Sequence, residues 1–238
     1  MAETVAAKPT YALLGEPGMT LTEMVRKTLI SLILRSEFPE GHRLYIEELS
    51  EKLGVSITPV REALLQLASE GFIENVQRRG FHVRIPTEAQ IRDIWQVRQG
   101  LELMAGELVI ARLKSGALSM DALSTLDDLQ NVQERDSAKV DHVTKLELNA
   151  SLHSALVSFS GNAVLGSMYV GLRHRVFGAL IQRGSDTWRG RISDEAREHW
   201  AIINALKNLD YQAYDQAVRA HIARSLKDAL IDLNFKQP

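Results

Sequence analysis

Between residues 46 and 85 the apolar positions change their period from helical to alternating. Ile46, Leu49 and Leu53 recur at helical spacing and end at Gly54, a residue free to take the positive φ that closes a helix. Val55 follows as the buried residue of a turn. Val60, Leu64 and Leu67 form a second apolar stripe, with Ser56 and Thr58 as candidate caps and Pro59 in the first turn, where a missing N–H costs nothing. Gly71 ends that stripe. Residues 72–76 and 81–85 then read as two strands around Gln77-Arg78-Arg79-Gly80, a β-turn with two guanidiniums and no acid. Helix, turn, helix and hairpin in this order predict a winged helix-turn-helix, and so DNA binding. The polar face of the second helix leaves Thr58 and Arg61 where a recognition helix reaches base edges or phosphates. Arg78, Arg79 and Gly80 form a wing tip suited to a minor groove or a phosphate ridge.

Past the hairpin the texture changes. Thr87 and Gln90 have the spacing of a capping box, and from there the chain reads as helices near 88–114, 120–135, 142–160, 163–183, 193–208 and 211–233. Short polar breaks separate them, no internal repeat is evident, and helices of this length pack as an antiparallel bundle. The predicted fold is mainly α: an N-terminal winged helix-turn-helix domain over 19–86, then an all-α antiparallel helical bundle over 87–238. Residues 1–18, with Ala-Ala-Lys-Pro and Gly-Glu-Pro-Gly, read as a loosely ordered tail.

Composition narrows the chemistry. In 238 residues, 45% are hydrophobic, enough for a real core. A net charge of −2 argues against a generally basic coat, so DNA affinity has to come from a local patch such as the wing. The absence of cysteine removes disulfides, thiolate metal sites and a thiol nucleophile, and fits a reducing compartment. No long apolar run suggests a membrane span and no signal peptide is read at the N-terminus, so the expected location is cytoplasmic.

Histidine therefore carries any metal chemistry. Asn149 and His153 are spaced i, i+4 and project from one helix face, a half-site for an ion. His199 and His221 lie on the last two helices, which a short turn makes antiparallel neighbours. Three imidazoles and one amide oxygen could then meet around a divalent ion, leaving coordination positions open for water or a carboxylate. Isolated surface histidines, or core histidines hydrogen-bonded in place, are the alternative that spacing leaves open. Arg98, in line with Ile94 and Leu101, points into the bundle or lies at its edge. It is either a clamp for a small organic acid or the partner of Glu102 in an internal ion pair. Arg173 is a weaker candidate for the same anion. His42, His82, His142 and His174 fit no pattern and read as ordinary.

Two resemblances add to this. The runs Glu37-Phe38-Pro39-Glu40-Gly41-His42-Arg43-Leu44, Leu53-Gly54-Val55-Ser56 and Thr58-Pro59-Val60-Arg61-Glu62-Ala63-Leu64 resemble the N-terminal domain of the GntR family of bacterial transcription regulators. Residues 148–156, with Asn149 and His153, Ser160-Gly161-Asn162, Glu198-His199-Trp200-Ala201-Ile202 and Arg219-Ala220-His221 resemble the FCD effector-binding domain of its FadR-type branch. The resemblance implies that Asn149, His153, His199 and His221 hold a divalent ion, zinc or nickel first. It also implies a small organic acid as effector, and because one head covers only a few base pairs, a homodimer on a pseudo-palindromic operator in double-stranded DNA is expected. Two positions depart from the pattern: many relatives carry arginine where this chain has Ile57, and some where it has Glu47. At 149 the family pattern has an acidic residue or asparagine, and asparagine in place of aspartate removes a negative charge.

The expected function is a ligand-responsive transcription regulator, a repressor, and not an enzyme. The alternatives are a metal-dependent enzyme built on the bundle, with an open site that activates water, and a helical interaction module with a degenerate DNA-binding domain.

Overall fold

The computed structural model describes residues 10–15, 17–34, 37–39, 41–84, 87–135, 142–181 and 192–234. The chain divides into two compact units, 1–85 and 86–238.

The first unit holds α1 (Leu21–Leu34), β1 (Arg43–Leu44), α2 (Ile46–Leu53), α3 (Ile57–Glu70), β2 (Ile73–Val76) and β3 (Gly80–Val83). The strands form an antiparallel sheet in the order β1-β3-β2, with Leu44 opposite Phe81 and Ile73 opposite Val83. Gly54 and Gly71 end α2 and α3 at φ 67° and 85°, the left-handed conformation that glycine adopts at low cost. The apolar stripes of the two helices meet: Leu49 and Leu53 are buried with Val60, Leu64 and Leu67. Val25, Leu29 and Ile33 of α1 join the same core, and the Arg26–Glu70 ion pair ties α1 to α3 at 2.8 Å.

Three details differ from the sequence reading. Ser56 stands at the N-cap of α3 in extended backbone, but its side chain makes no capping hydrogen bond. Thr58 lies inside the first turn. Neither α1 nor the two-residue β1 was expected: a two-residue strand has no period to read, and α1 has no glycine stop like those of α2 and α3. The second half of the stretch expected as a loose tail is tied down. Tyr11 N–H donates to the Lys52 carbonyl at 3.0 Å, Leu14 N–H donates to Thr28 Oγ1 at 2.8 Å, and the Tyr11 ring packs edge-on against Phe38.

The second unit holds α4 (Glu88–Lys114), a 3₁₀ turn (Met120–Leu123), α5 (Ser124–Arg135), α6 (His142–Phe159), α7 (Ala163–Ile181), α8 (Ile192–Lys207) and α9 (Tyr211–Asn234). Thr87 opens α4 with the anticipated capping box: Gln90 N–H donates to Thr87 Oγ1 at 3.2 Å, and Thr87 N–H donates to Gln90 Oε1 at 3.1 Å. Helix α4 is the spine, packed against α6, α7 and α9, while α8 lies between α5 and α9. Trp95, Val109, Leu126, Leu156, Ile203 and Leu206 fill the centre. At Gly106 the α4 backbone approaches α9 so closely that a Cβ would stand 2.0 Å from the Tyr214 ring. That close contact lets the Tyr214 hydroxyl donate to the Glu102 carbonyl at 2.7 Å.

Candidate metal centre and nucleic-acid interface

His153 on α6, His199 on α8 and His221 on α9 meet inside the bundle, with ring centroids 4.9 to 5.2 Å apart. All three are essentially buried, and one ring nitrogen of each lies within 4.8 Å of the others. Each Nδ1 has an oxygen partner on another helix. His153 pairs with Glu102 Oε2 at 3.1 Å, His199 with Gln130 Oε1 at 2.8 Å and His221 with Glu198 Oε2 at 2.8 Å. A carboxylate oxygen or amide oxygen only accepts, so each Nδ1 carries the proton and each Nε2 is left as a bare lone pair. All three Nε2 atoms are buried and have no hydrogen-bond partner among the described residues.

Three buried acceptors facing one another without a donor carry a desolvation cost that a cation removes. Burial pushes His199 and His221 well below the usual imidazole range, and the neighbouring rings and Arg98 act in the same direction. Neutral imidazoles with outward-fixed tautomers are the form that ligates a metal. The donor set therefore fits the expected divalent ion.

Asn149 lies one turn before His153 on α6 and is nearly buried. Its Nδ2 donates to Glu195 Oε1 of α8. Because that carboxylate only accepts, the amide nitrogen faces Glu195 and Oδ1 is the atom left for an ion.

Arg98 lies buried on α4, and of the two arrangements open for it the ion pair with Glu102 is present, Nε to Oε1 at 2.7 Å. The Tyr169 hydroxyl donates to the same Oε1 at 2.8 Å. Burial opposes the charge on Glu102, but His153 and Arg98 outweigh it and hold the carboxyl well below its ordinary range. Burial opposes the charge on Arg98 too, and Glu102 and Tyr169 outweigh it. Arg98 acts electrostatically on His199 and His221, so its charge is felt at the histidine cluster. The side chains of Arg173, His142 and His174 lie outside the described residues. In the first unit, His42 stacks on Phe38 and His82 Nδ1 meets the Gly80 carbonyl.

Sequence reading missed the residues that orient the histidines. Glu102 had a signal, its i+4 spacing from Arg98. Glu198 adjoins His199 in sequence yet serves His221, and Gln130 had no signal at all.

In the first unit, Thr58 and Arg61 are exposed at the start of α3, and Arg78 and Arg79 are exposed in the β2–β3 turn. Arg78 takes φ 65° and Gly80 φ 84°, so the tip is a tight turn that presents both guanidiniums to solvent. A cleft of about 340 Å³ runs between α3 and the sheet, lined by Arg61 and Arg78 among others.

A winged helix with an arginine-bearing tip, in one chain with a helical bundle enclosing three histidines, is the build of a DNA-binding transcription regulator. Residues 21–83 match the bacterial regulatory proteins of the gntR family and residues 93–224 match the FCD domain. The chain belongs to the GntR family, in the branch that carries an FCD domain. It is 27% identical to the HTH-type transcriptional regulator YdhC of Bacillus subtilis over 81% of this chain and 84% of that one. It is also 27% identical to a probable D-xylose utilization operon transcriptional repressor of Paenarthrobacter nicotinovorans, over 87% and 88%. Among solved structures, E. coli McbR/YncC has the same fold, with a TM-score of 0.75 at 24% identity over 90% of this chain and 98% of that one. The family is one of transcription regulators rather than enzymes, which removes the metal-enzyme alternative. No described helix is long and apolar enough to cross a membrane.

Proposed function

We propose that this regulator is a cytoplasmic, homodimeric repressor that senses a small carboxylate at a divalent metal ion in its helical bundle. Asn149, His153, His199 and His221 would hold the ion, zinc or nickel first, and Arg98 would add positive charge beside it. The observation that carries this reading is the set of three buried Nε2 atoms without partners, each fixed by an oxygen on its Nδ1. When bound, the ion supplies a Lewis-acid anchor for carboxylate oxygens. The chain's own residues do the rest: Glu102, Gln130 and Glu198 hold the imidazoles in register, and Glu195 turns the Asn149 amide so that its oxygen is available. Arg173 remains a candidate for the same anion.

Thr58, Arg61, Arg78, Arg79 and Gly80 form the proposed contact with double-stranded DNA. One head covers only a few base pairs, so a pseudo-palindromic operator and a two-fold dimer supply the missing length. A face of the bundle suits the second copy. Val97 and Met104 on α4 are 50% and 52% exposed, and Val164 and Met168 on α7, which packs against α4, are 68% and 56% exposed. Gly100 and Gly171 lie among them with open space above, so another helix could approach closely. Repression agrees with the Paenarthrobacter relative, a probable repressor.

The test is metal analysis and native mass spectrometry of the purified protein, followed by calorimetry of the co-purified acid on metal-loaded and chelated samples. Tight binding only to loaded protein is expected. Equal binding to both would make the ion structural and overturn the sensing role.

A further inference from the structure

The cleft between α3 and the wing sheet has a third arginine. Arg43 stands exposed on β1, the strand outside the helix-turn-helix and hairpin pattern, and lines the same cleft as Arg61 and Arg78. Its guanidinium lies over the Tyr45 ring, 4.7 Å from the centroid, and 3.7 Å from where a Cβ on Gly80 would stand. The side chain thus runs from β1 toward the wing turn, braced by an aromatic face that is itself half exposed. Stacking of this kind fixes the planar donor fork and lowers the ordering cost of binding an anion. None of the three guanidiniums has an ion pair among the described residues. The one carboxylate in the cleft lining is Glu47, so three positive charges face one negative charge.

We propose that Arg43, stacked on Tyr45, is a DNA backbone contact that grips a phosphate at the seam between the recognition helix and the wing. This rests on α3 being the recognition helix. It also gives a physical meaning to the two departures in the sequence: with Ile57 and Glu47 where relatives carry arginine, positive charge is supplied from the neighbouring strand instead. A phosphate grip is independent of base sequence and appears in the salt dependence of binding.

The experiment uses the full-length dimer and a duplex selected by the wild-type protein from a random-sequence pool, with binding measured across a salt series. Arg43→Gln is expected to make the plot of log K against log salt shallower by about 0.9 for each head bound. Arg43→Lys keeps the charge and should keep the slope. It also serves as the folding control, because it loses the same planar stack. Glu47→Gln should tighten the complex. A slope unchanged in Arg43→Gln, or weaker binding in Glu47→Gln, overturns the proposal. Those results leave the recognition helix in place if Arg61→Ala still weakens binding. Wild-type affinity indifferent to salt would instead remove the interface as a whole.

Discussion

Glu102 on α4 and His153 on α6, 51 residues apart in sequence, meet in the closed interior with Oε2 3.1 Å from Nδ1. Through its other oxygen Glu102 binds Arg98 and Tyr169, so one side chain joins the histidine cluster to the buried ion pair. Removing its charge should have two separable effects. Glu102→Ala leaves the Arg98 charge buried and unpaired and is expected to cost about 3 to 5 kcal/mol in denaturant unfolding. Glu102→Gln keeps the shape but weakens the hold on His153, and should lower metal affinity by about 10 to 100-fold. Unchanged metal affinity in Glu102→Gln would show that this hydrogen bond does not orient the ligand.

How far the sequence was readable follows the range of the interactions. Helix ends were legible because Gly54, Gly71 and the Thr87–Gln90 pair act within a few residues of themselves. The three histidines were legible as candidates, since helix period and a short turn put them on neighbouring faces. Their convergence and their partners were not. The Gln130–His199 bond spans 69 residues and depends on how α5 packs on α8, which no local pattern encodes. The same holds for β1, where a two-residue strand has no period to read.

Metal removal provides the next prediction. The ion would tie α6, α8 and α9 together, and the unfolded chain has no preformed cluster, so metal should raise thermal stability by mass action. At a free-metal concentration 100 times Kd the gain is about 2.7 kcal/mol, and a chelator should remove it. Alanine at His153, His199 or His221 should abolish the increment. A melting temperature that ignores both chelator and metal would contradict the site.

The chelated protein should also be sensitive to acid. His199 and His221 have folded-state pKa values below the unfolded value, so the unfolded chain binds more protons as pH falls. Stability from these groups is present above about pH 6.5 and is lost below it, with a slope of up to about 1.4 kcal/mol per pH unit for each ring. Urea titrations of chelated protein between pH 7.5 and 5 check the sign. Stability rising toward pH 5 would contradict the burial of neutral imidazoles.

For DNA, Arg61→Ala should weaken operator binding by about 1 to 3 kcal/mol if its fork makes a bidentate base contact. Arg78→Ala and Arg79→Ala should instead flatten the salt dependence. Full operator affinity in Arg61→Ala, with an unchanged circular dichroism spectrum, would move the recognition surface elsewhere.

Asn149→Asp tests the proposed fourth ligand with effects of opposite sign. The Asn149 amide nitrogen donates to Glu195, so aspartate there replaces a hydrogen bond with two carboxylates in contact. Without metal the repulsion should lower the melting temperature. With metal the new charge enters the ligand set and binds the ion more tightly, so the metal-dependent increment should exceed that of the wild type, while an anionic effector binds more weakly. Glu195→Gln in the same background removes the repulsion and should restore the metal-free melting temperature without reducing metal affinity to the wild-type level. If Asn149→Asp leaves the metal increment unchanged while lowering stability, residue 149 lies outside the ligand set and the ion rests on the three histidines alone.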